Sequence, residues 1–293
     1  MRFEKYFEPT TIAECCQILK EYGSDAKILA GGTDIVPRLK NKALSPKAII
    51  GIWNIPQINK IVVSSDGLEL GASARLRDIS LEKSLENDYK VIMEAAGNVS
   101  SMQIRNIATI GGNACNASPS ADAIQGLMVM DAKVVIASDN GTREVSIENF
   151  FTGPGTTILK KDEMLLSFKV PAPKPGTGAV YKKYAIRGDT DISIVGVACR
   201  LSLHANGTIE EARISLAAVA PKPIRVMAVE NMLIGNKLTA ELIEEAAEIV
   251  ANSCSPINDQ RATAEYRKEM IRVWTCHALK EAEERAKDKQ NKK

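Results

Sequence analysis

Apolar residues along the 293-residue chain recur first at helical spacing next to short strands, then in hairpin-like pairs of runs, and finally on long amphipathic helices. Phe3 to Glu8 reads as a short strand. Pro9-Thr10-Thr11 opens a helix with Ile12, Cys15, Cys16 and Leu19 on one face and Gly23 as its stop. Lys27 to Ala30 is an apolar strand, followed by Gly31-Gly32-Thr33-Asp34 and a helix bearing Ile35, Val36 and Leu39. Pro37 is tolerated in its first turn. A strand over Lys47 to Ile52 precedes the loop Trp53-Asn54-Ile55-Pro56.

The pattern then changes character. Runs from Ile58 to Ser64 and from Leu68 to Ala72 flank Asp66-Gly67, and runs from Lys133 to Ala137 and from Arg143 to Ile147 flank Asn140-Gly141. Both predict antiparallel hairpins. Helices are predicted over Leu76 to Leu85 and Tyr89 to Val99, a loop over Phe150 to Gly155 and a strand over Met164 to Val170. The run Pro171 to Gly176 is the best boundary signal, dividing the chain into 1–175, with lobes of about 1–56 and 57–175, and 176–293. Beyond it, strands over Val180 to Ile186, Ile192 to Leu203 and Ile209 to Val219 lead to helices over Ile224 to Leu233, Ala240 to Ala251 and Ala262 to Glu284.

Composition changes this picture little. With 45% hydrophobic and 25% charged residues, a net charge of +2 and no apolar run of membrane-spanning length, the chain reads as globular. The charged N-terminal residues cannot act as a secretory signal, which points to the cytoplasm. Basic residues gather in 285–293, read as a frayed, solvated tail, and nothing else argues for nucleic acid. The six cysteines form no C-x-x-C pair, and His204 and His277 are far apart, so no metal site and no histidine chemistry is expected.

The candidate chemistry lies in two glycine pairs. Ile107, Ala108 and Ile110 run into Gly111-Gly112, a row of small polar residues and an apolar helix from Ala121. Gly31-Gly32 repeats the arrangement. Glycine can take φ > 0 and turn N–H groups toward one point, and Thr109 and Asn113 add side-chain donors. A lone Gly-Gly is as well explained by a turn. Two of them suit a diphosphate held from both sides. Gly153-Pro154-Gly155 and Gly176-Thr177-Gly178 start like a dinucleotide fingerprint, but neither opens a helix.

Ala30-Gly31-Gly32-Thr33-Asp34, then Gln103-Ile104-Arg105-Asn106 with Thr109-Ile110-Gly111-Gly112-Asn113 and Ala117-Ser118-Pro119-Ser120-Ala121-Asp122, then Lys183 with Arg187, Asp191 and Ile192, occur in one order over nearly the whole chain. In this the chain resembles the FAD-binding (medium) subunits of the molybdenum hydroxylases, above all those of bacterial xanthine (purine) dehydrogenases. The resemblance implies an α+β fold: a PCMH-type (vanillyl-alcohol-oxidase-like) two-lobed FAD domain, then a small α+β domain of the CO dehydrogenase flavoprotein C-terminal type. It implies non-covalent FAD held by Lys27, Ile28, Leu29, Ala30, Gly31, Gly32, Thr33 and Asp34, and by Thr109, Ile110, Gly111, Gly112, Asn113 and Asp122. Leu165 would lie near a ring and Lys183 near the isoalloxazine edge, favouring the anionic reduced flavin. No catalytic residue is implied. Partners would be a large subunit with the molybdenum cofactor and a small subunit with [2Fe-2S] clusters, in a heterotrimer that pairs further, with NAD as acceptor and no membrane. Related subunits serving nicotinate, carbon monoxide or aromatic substrates, and a non-catalytic module binding a nucleotide diphosphate, remain alternatives.

Overall fold

The computed structural model describes residues 3–188 and 190–291. Its first lobe is a three-stranded parallel sheet, ordered β1-β3-β2, of β1 (Lys5–Phe7), β2 (Ala26–Leu29) and β3 (Ala48–Gly51). Helix α1 (Ile12–Tyr22), capped at Thr11, packs Cys15, Cys16, Ile18 and Leu19 against it, and the short α2 (Ile35–Lys40) follows β2.

The second lobe is an antiparallel five-stranded sheet of β4 (Ile61–Ser64), β5 (Gly67–Gly71), β6 (Lys133–Ser138), β7 (Gly141–Ser146) and β10 (Met164–Pro171), ordered β4-β5-β10-β6-β7. Both predicted hairpins form. Between β5 and β6 come α3 (Leu76–Leu81), α4 (Lys90–Gly97), α5 (Met102–Arg105), α6 (Ile110–Asn116) and α7 (Asp122–Val129). The segment expected as a loop at Phe150 to Gly155 instead forms a small hairpin of β8 (Phe151–Gly153) and β9 (Thr156–Thr157), because Phe150 and Phe151 are both buried in the lobe's core.

The C-terminal part is an antiparallel sheet of β11 (Thr177–Tyr184), β12 (Val195–Leu203), β13 (Ile209–Ala217) and β14 (Ile224–Arg225), covered by α8 (Met227–Leu233), α9 (Ala240–Asn252) and α10 (Ala264–Asn291). Ile224 and Arg225 pair with β13 instead of starting the predicted helix. The basic run is not frayed over 285–291. It is the last two turns of α10, where Arg285 pairs with Glu94 at 2.6 Å, Lys289 with Asp88 at 3.1 Å, and Gln290 donates to the Leu203 carbonyl. Lys292 and Lys293 lie outside the described residues. Helix length outweighs the local charge here, because acidic partners on the second lobe receive that charge.

The second lobe and the C-terminal sheet share a core, since Tyr181 and Ala198 sit in the cluster built around α4 and α7. Charge ties them as well. Asp131, in a left-handed turn at φ 53°, receives Arg200 at 2.7 Å and Arg213 and Arg225 at 2.9 Å, and Arg225 also pairs with Glu148 and Glu230. Buried cations on one side and carboxylates on both sides leave little room for relative movement.

Candidate functional site

A cleft of about 910 Å³ opens between the two lobes and reaches the C-terminal part. One wall is the first glycine loop. There β2 ends at Leu29, Gly32 turns the chain at φ 75°, and the Val36 amide closes onto the Gly32 carbonyl. Lys27, Ile28, Ala30, Gly31, Gly32, Thr33 and Asp34 all line the cleft. Among the described residues, no hydrogen-bond acceptor meets the amides of Gly31, Gly32, Thr33 and Asp34.

The second glycine pair differs from expectation. No strand precedes it, and Gly111 and Gly112 do not take positive φ but lie in the first turn of α6. The amides there are all used: Ile110 to the Ala74 carbonyl, Gly111 to Ala72, Gly112 to the Thr109 hydroxyl oxygen at 3.0 Å, and Asn113 to the Thr109 carbonyl. Thr109 is therefore a helix cap. The glycine at 111 is required for packing, because a Cβ there would lie 2.6 Å from Ala72 Cβ and from the Ala72 carbonyl oxygen. This wall offers side chains in place of a nest of amides. Asn113 Oδ1 is enclosed and has no partner among the described residues, and Ser118 and Ser120 also line the cleft.

Asp122 begins α7 at the cleft floor. Its carboxylate accepts from the Tyr181 hydroxyl at 2.5 Å and from Ser193, and the Lys183 ammonium lies 3.1 Å from its second oxygen. Burial pushes the Asp122 carboxyl above its ordinary range, against the pull of Lys183, Ser193 and Tyr181. Leu165, at a bulge in β10, lines the cleft. Leu29, Ile110 and Lys183 stand behind the wall: Leu29 gives its carbonyl to Ile52, Ile110 is fully buried, and Lys183, its side chain 4% exposed, also donates to the Asn98 carbonyl at 2.8 Å. An enclosed ammonium needs such partners.

Sequence reasoning missed other parts of the wall. Arg38, Lys160 and Lys161 add positive charge, and Val99, Ser100 and Thr190 line it from distant parts of the chain, next to Asp191 and Ile192 of the segment that carried the resemblance. Glu163 fixes the Lys160 backbone and is gripped by Arg143 through two 2.8 Å bonds, which hold its carboxyl below the usual range. Lys160 and Lys161 are adjacent in the chain, but a lysine doublet of that kind has no distinguishing spacing. Cys115, between Asn113 and Ser118, is exposed to the cleft, unlike the buried Cys15, Cys16, Cys199 and Cys254.

Residues 1–173 match the family described as the FAD binding domain in molybdopterin dehydrogenase, and residues 179–282 match the CO dehydrogenase flavoprotein C-terminal domain. The chain is 34% identical over 284 residues to the xanthine dehydrogenase FAD-binding subunit of Escherichia coli O157:H7, covering 96% of each. It is 33% identical to the glyceraldehyde dehydrogenase medium chain of Sulfolobus acidocaldarius, covering 94% of this chain and 97% of that one. A solved carbon monoxide dehydrogenase from Hydrogenophaga pseudoflava superposes with a TM-score of 0.93 at 32% identity, over 97% of this chain and 98% of that one. The glycine loops, the cleft between them and the C-terminal part that reaches it thus belong to a known architecture: the chain is a member of the family of FAD-binding subunits of the molybdenum hydroxylases, the flavoprotein components of multi-subunit oxidoreductases.

Proposed function

We propose that this chain receives electrons from the [2Fe-2S] clusters of a small partner subunit and passes them through non-covalent FAD to NAD. The whole enzyme would be a cytoplasmic xanthine (purine) dehydrogenase, whose large subunit carries the molybdenum cofactor and hydroxylates the substrate. FAD supplies the step between one-electron and hydride chemistry, and the protein supplies binding and orientation. The purine assignment draws on likeness to the Escherichia coli chain.

The observation that carries the reading is the pair of unlike cleft walls. Among the described residues the amides of Gly31 to Asp34 have no acceptor on one side, and on the other Asn113, whose enclosed Oδ1 has no partner, lines the cleft with Ser118 and Ser120. Amides without an acceptor beside Gly32 suit a phosphate oxygen. Asn113 and the serines suit hydroxyl or amide groups of the same ligand. Lys27, Arg38, Lys160 and Lys161 offset diphosphate charge. The cleft volume lies at the upper end of the ~300–1,000 Å³ usual for small-molecule sites, as an extended dinucleotide requires.

The test is to purify the full chain, alone and with its partner subunits. It should take up flavin and be bleached anaerobically by NADH, and a purine should bleach it only when the partners are present. A chain that reconstitutes with no FAD would sink the reading. Flavin that ignores NADH would remove NAD as the acceptor, and bleaching by a substrate without partners would make the chain a free-standing oxidase.

A further inference from the structure

The guanidinium of Arg267, in the first turn of α10, is 2% exposed and does not line the cleft. It holds two segments of the C-terminal part, one that lines that cleft and one bonded to the chain between two of the cleft's wall residues. Nη1 donates to the Ile194 carbonyl at 2.5 Å and to the Ala218 carbonyl at 3.2 Å, and Nη2 donates to Asp259 Oδ1 at 2.9 Å. Ile194 ends the stretch containing Thr190, Asp191 and Ile192, which line the cleft, and Ser193, which donates to Asp122. Ala218 donates its own N–H to the Pro119 carbonyl at 2.8 Å, and Pro119 lies between the wall residues Ser118 and Ser120.

On the assumption that the cleft takes FAD, we infer that Arg267 is a positioning residue for that site. One planar fork holds both the Ile194 carbonyl, next to the wall residues 190–192, and the carbonyl of Ala218, whose N–H is bonded to Pro119. Ala218 sits at φ 66° and Ala117, just before Ser118, at φ 47°. A left-handed non-glycine residue persists only where its surroundings over-determine it. At Ala218 they do so at both ends, with the N–H bound to Pro119 and the carbonyl to Arg267. Lysine cannot replace this arrangement, because an ammonium lacks the fixed fork that reaches two carbonyls and a carboxylate together.

Arg285 provides the control. It lies on the same helix and is tied to Glu94 and to the Ala179 carbonyl, away from either wall segment. In the full chain without FAD, Arg267→Lys is expected to speed amide exchange at Ala218 at least tenfold and to weaken FAD binding at least tenfold. Any flavin it retains should show an altered visible circular dichroism. Arg285→Lys should leave all three at parent values even if it melts earlier. Asp259→Asn, which loosens the fork without emptying its site, should shift exchange and affinity in the same direction. The inference is overturned if Arg267→Lys binds FAD as tightly as the parent, or if Arg285→Lys weakens binding equally. A parent chain that takes up no FAD would overturn the functional reading beneath it, and the exchange measurement would stand apart from that result.

Discussion

A Cβ placed on Gly31 would lie 1.9 Å from the backbone oxygen of Ile107, so the N-terminal glycine loop and the segment leading to the second glycine pair are in direct backbone contact. Neither chain can step aside cheaply, because Ile107 leads into Ala108, whose carbonyl receives the Leu76 amide. Gly31→Ala is expected to destabilise the protein by about 3 kcal/mol, at the upper end for overpacking, and to abolish FAD uptake. Thermal melting with flavin titration checks both; a stable, FAD-binding variant would show that the lobes separate freely.

Thr109 and Asn113 share one helical turn but should respond oppositely. Thr109→Val removes a cap and should cost the cofactor-free protein about 1 kcal/mol. Asn113→Ala removes an oxygen with no partner among the described residues, so it should leave cofactor-free stability nearly unchanged. It should weaken FAD roughly two- to tenfold, the worth of one net hydrogen bond of about 0.5–1.5 kcal/mol. Equal effects of the two variants on FAD affinity would contradict this division of labour.

Lys183, behind the wall, and Asp122, which lines the cleft, form a buried pair. Lys183→Met should cost about 3–5 kcal/mol by leaving the carboxylate without its cation, and Lys183→Met with Asp122→Asn should recover much of it. If the ammonium also acts on the flavin, Lys183→Ala lowers the flavin's reduction potential or its affinity. Both quantities unchanged by spectroelectrochemistry and titration would remove Lys183 from the functional site.

Asp259 carries a pH signature. Burial opposes its ionisation, but the Arg261 and Ala262 amides and the Arg267 guanidinium prevail and hold its carboxyl down at about 2. A carboxyl depressed on folding stabilises the protein above its unfolded value and loses that contribution as pH falls through the folded one. Asp259→Asn should therefore melt below the parent at neutral pH, and the gap should close as pH drops from about 4 to 2. A gap independent of pH would mean that Asp259 acts through packing alone.

Much of the fold was legible in the chain. Asp66-Gly67 and Asn140-Gly141 marked hairpins because turn chemistry is local. Cys15, Cys16 and Leu19 marked a helix face because burial at helical spacing is local too. Both glycine pairs line one cleft, as do Asp122 and Leu165, which were named through resemblance to a family.

The sequence by itself marked most of the elements and singled out the two glycine pairs, because turn chemistry and helical spacing are local. Tertiary structure alone decided that the loops are unlike: Gly32 turns the backbone beside amides with no acceptor among the described residues, while Gly111 lets α6 press on Ala72 with its amides spent. It likewise decided that Lys183 lies behind the wall and that Arg267, far along the chain, is bonded to the Ile194 carbonyl next to that wall. The reason is physical. A residue's type states which bonds it can make, but whether an amide, an ammonium or a guanidinium remains available to a ligand depends on which distant groups reach it first in the folded chain.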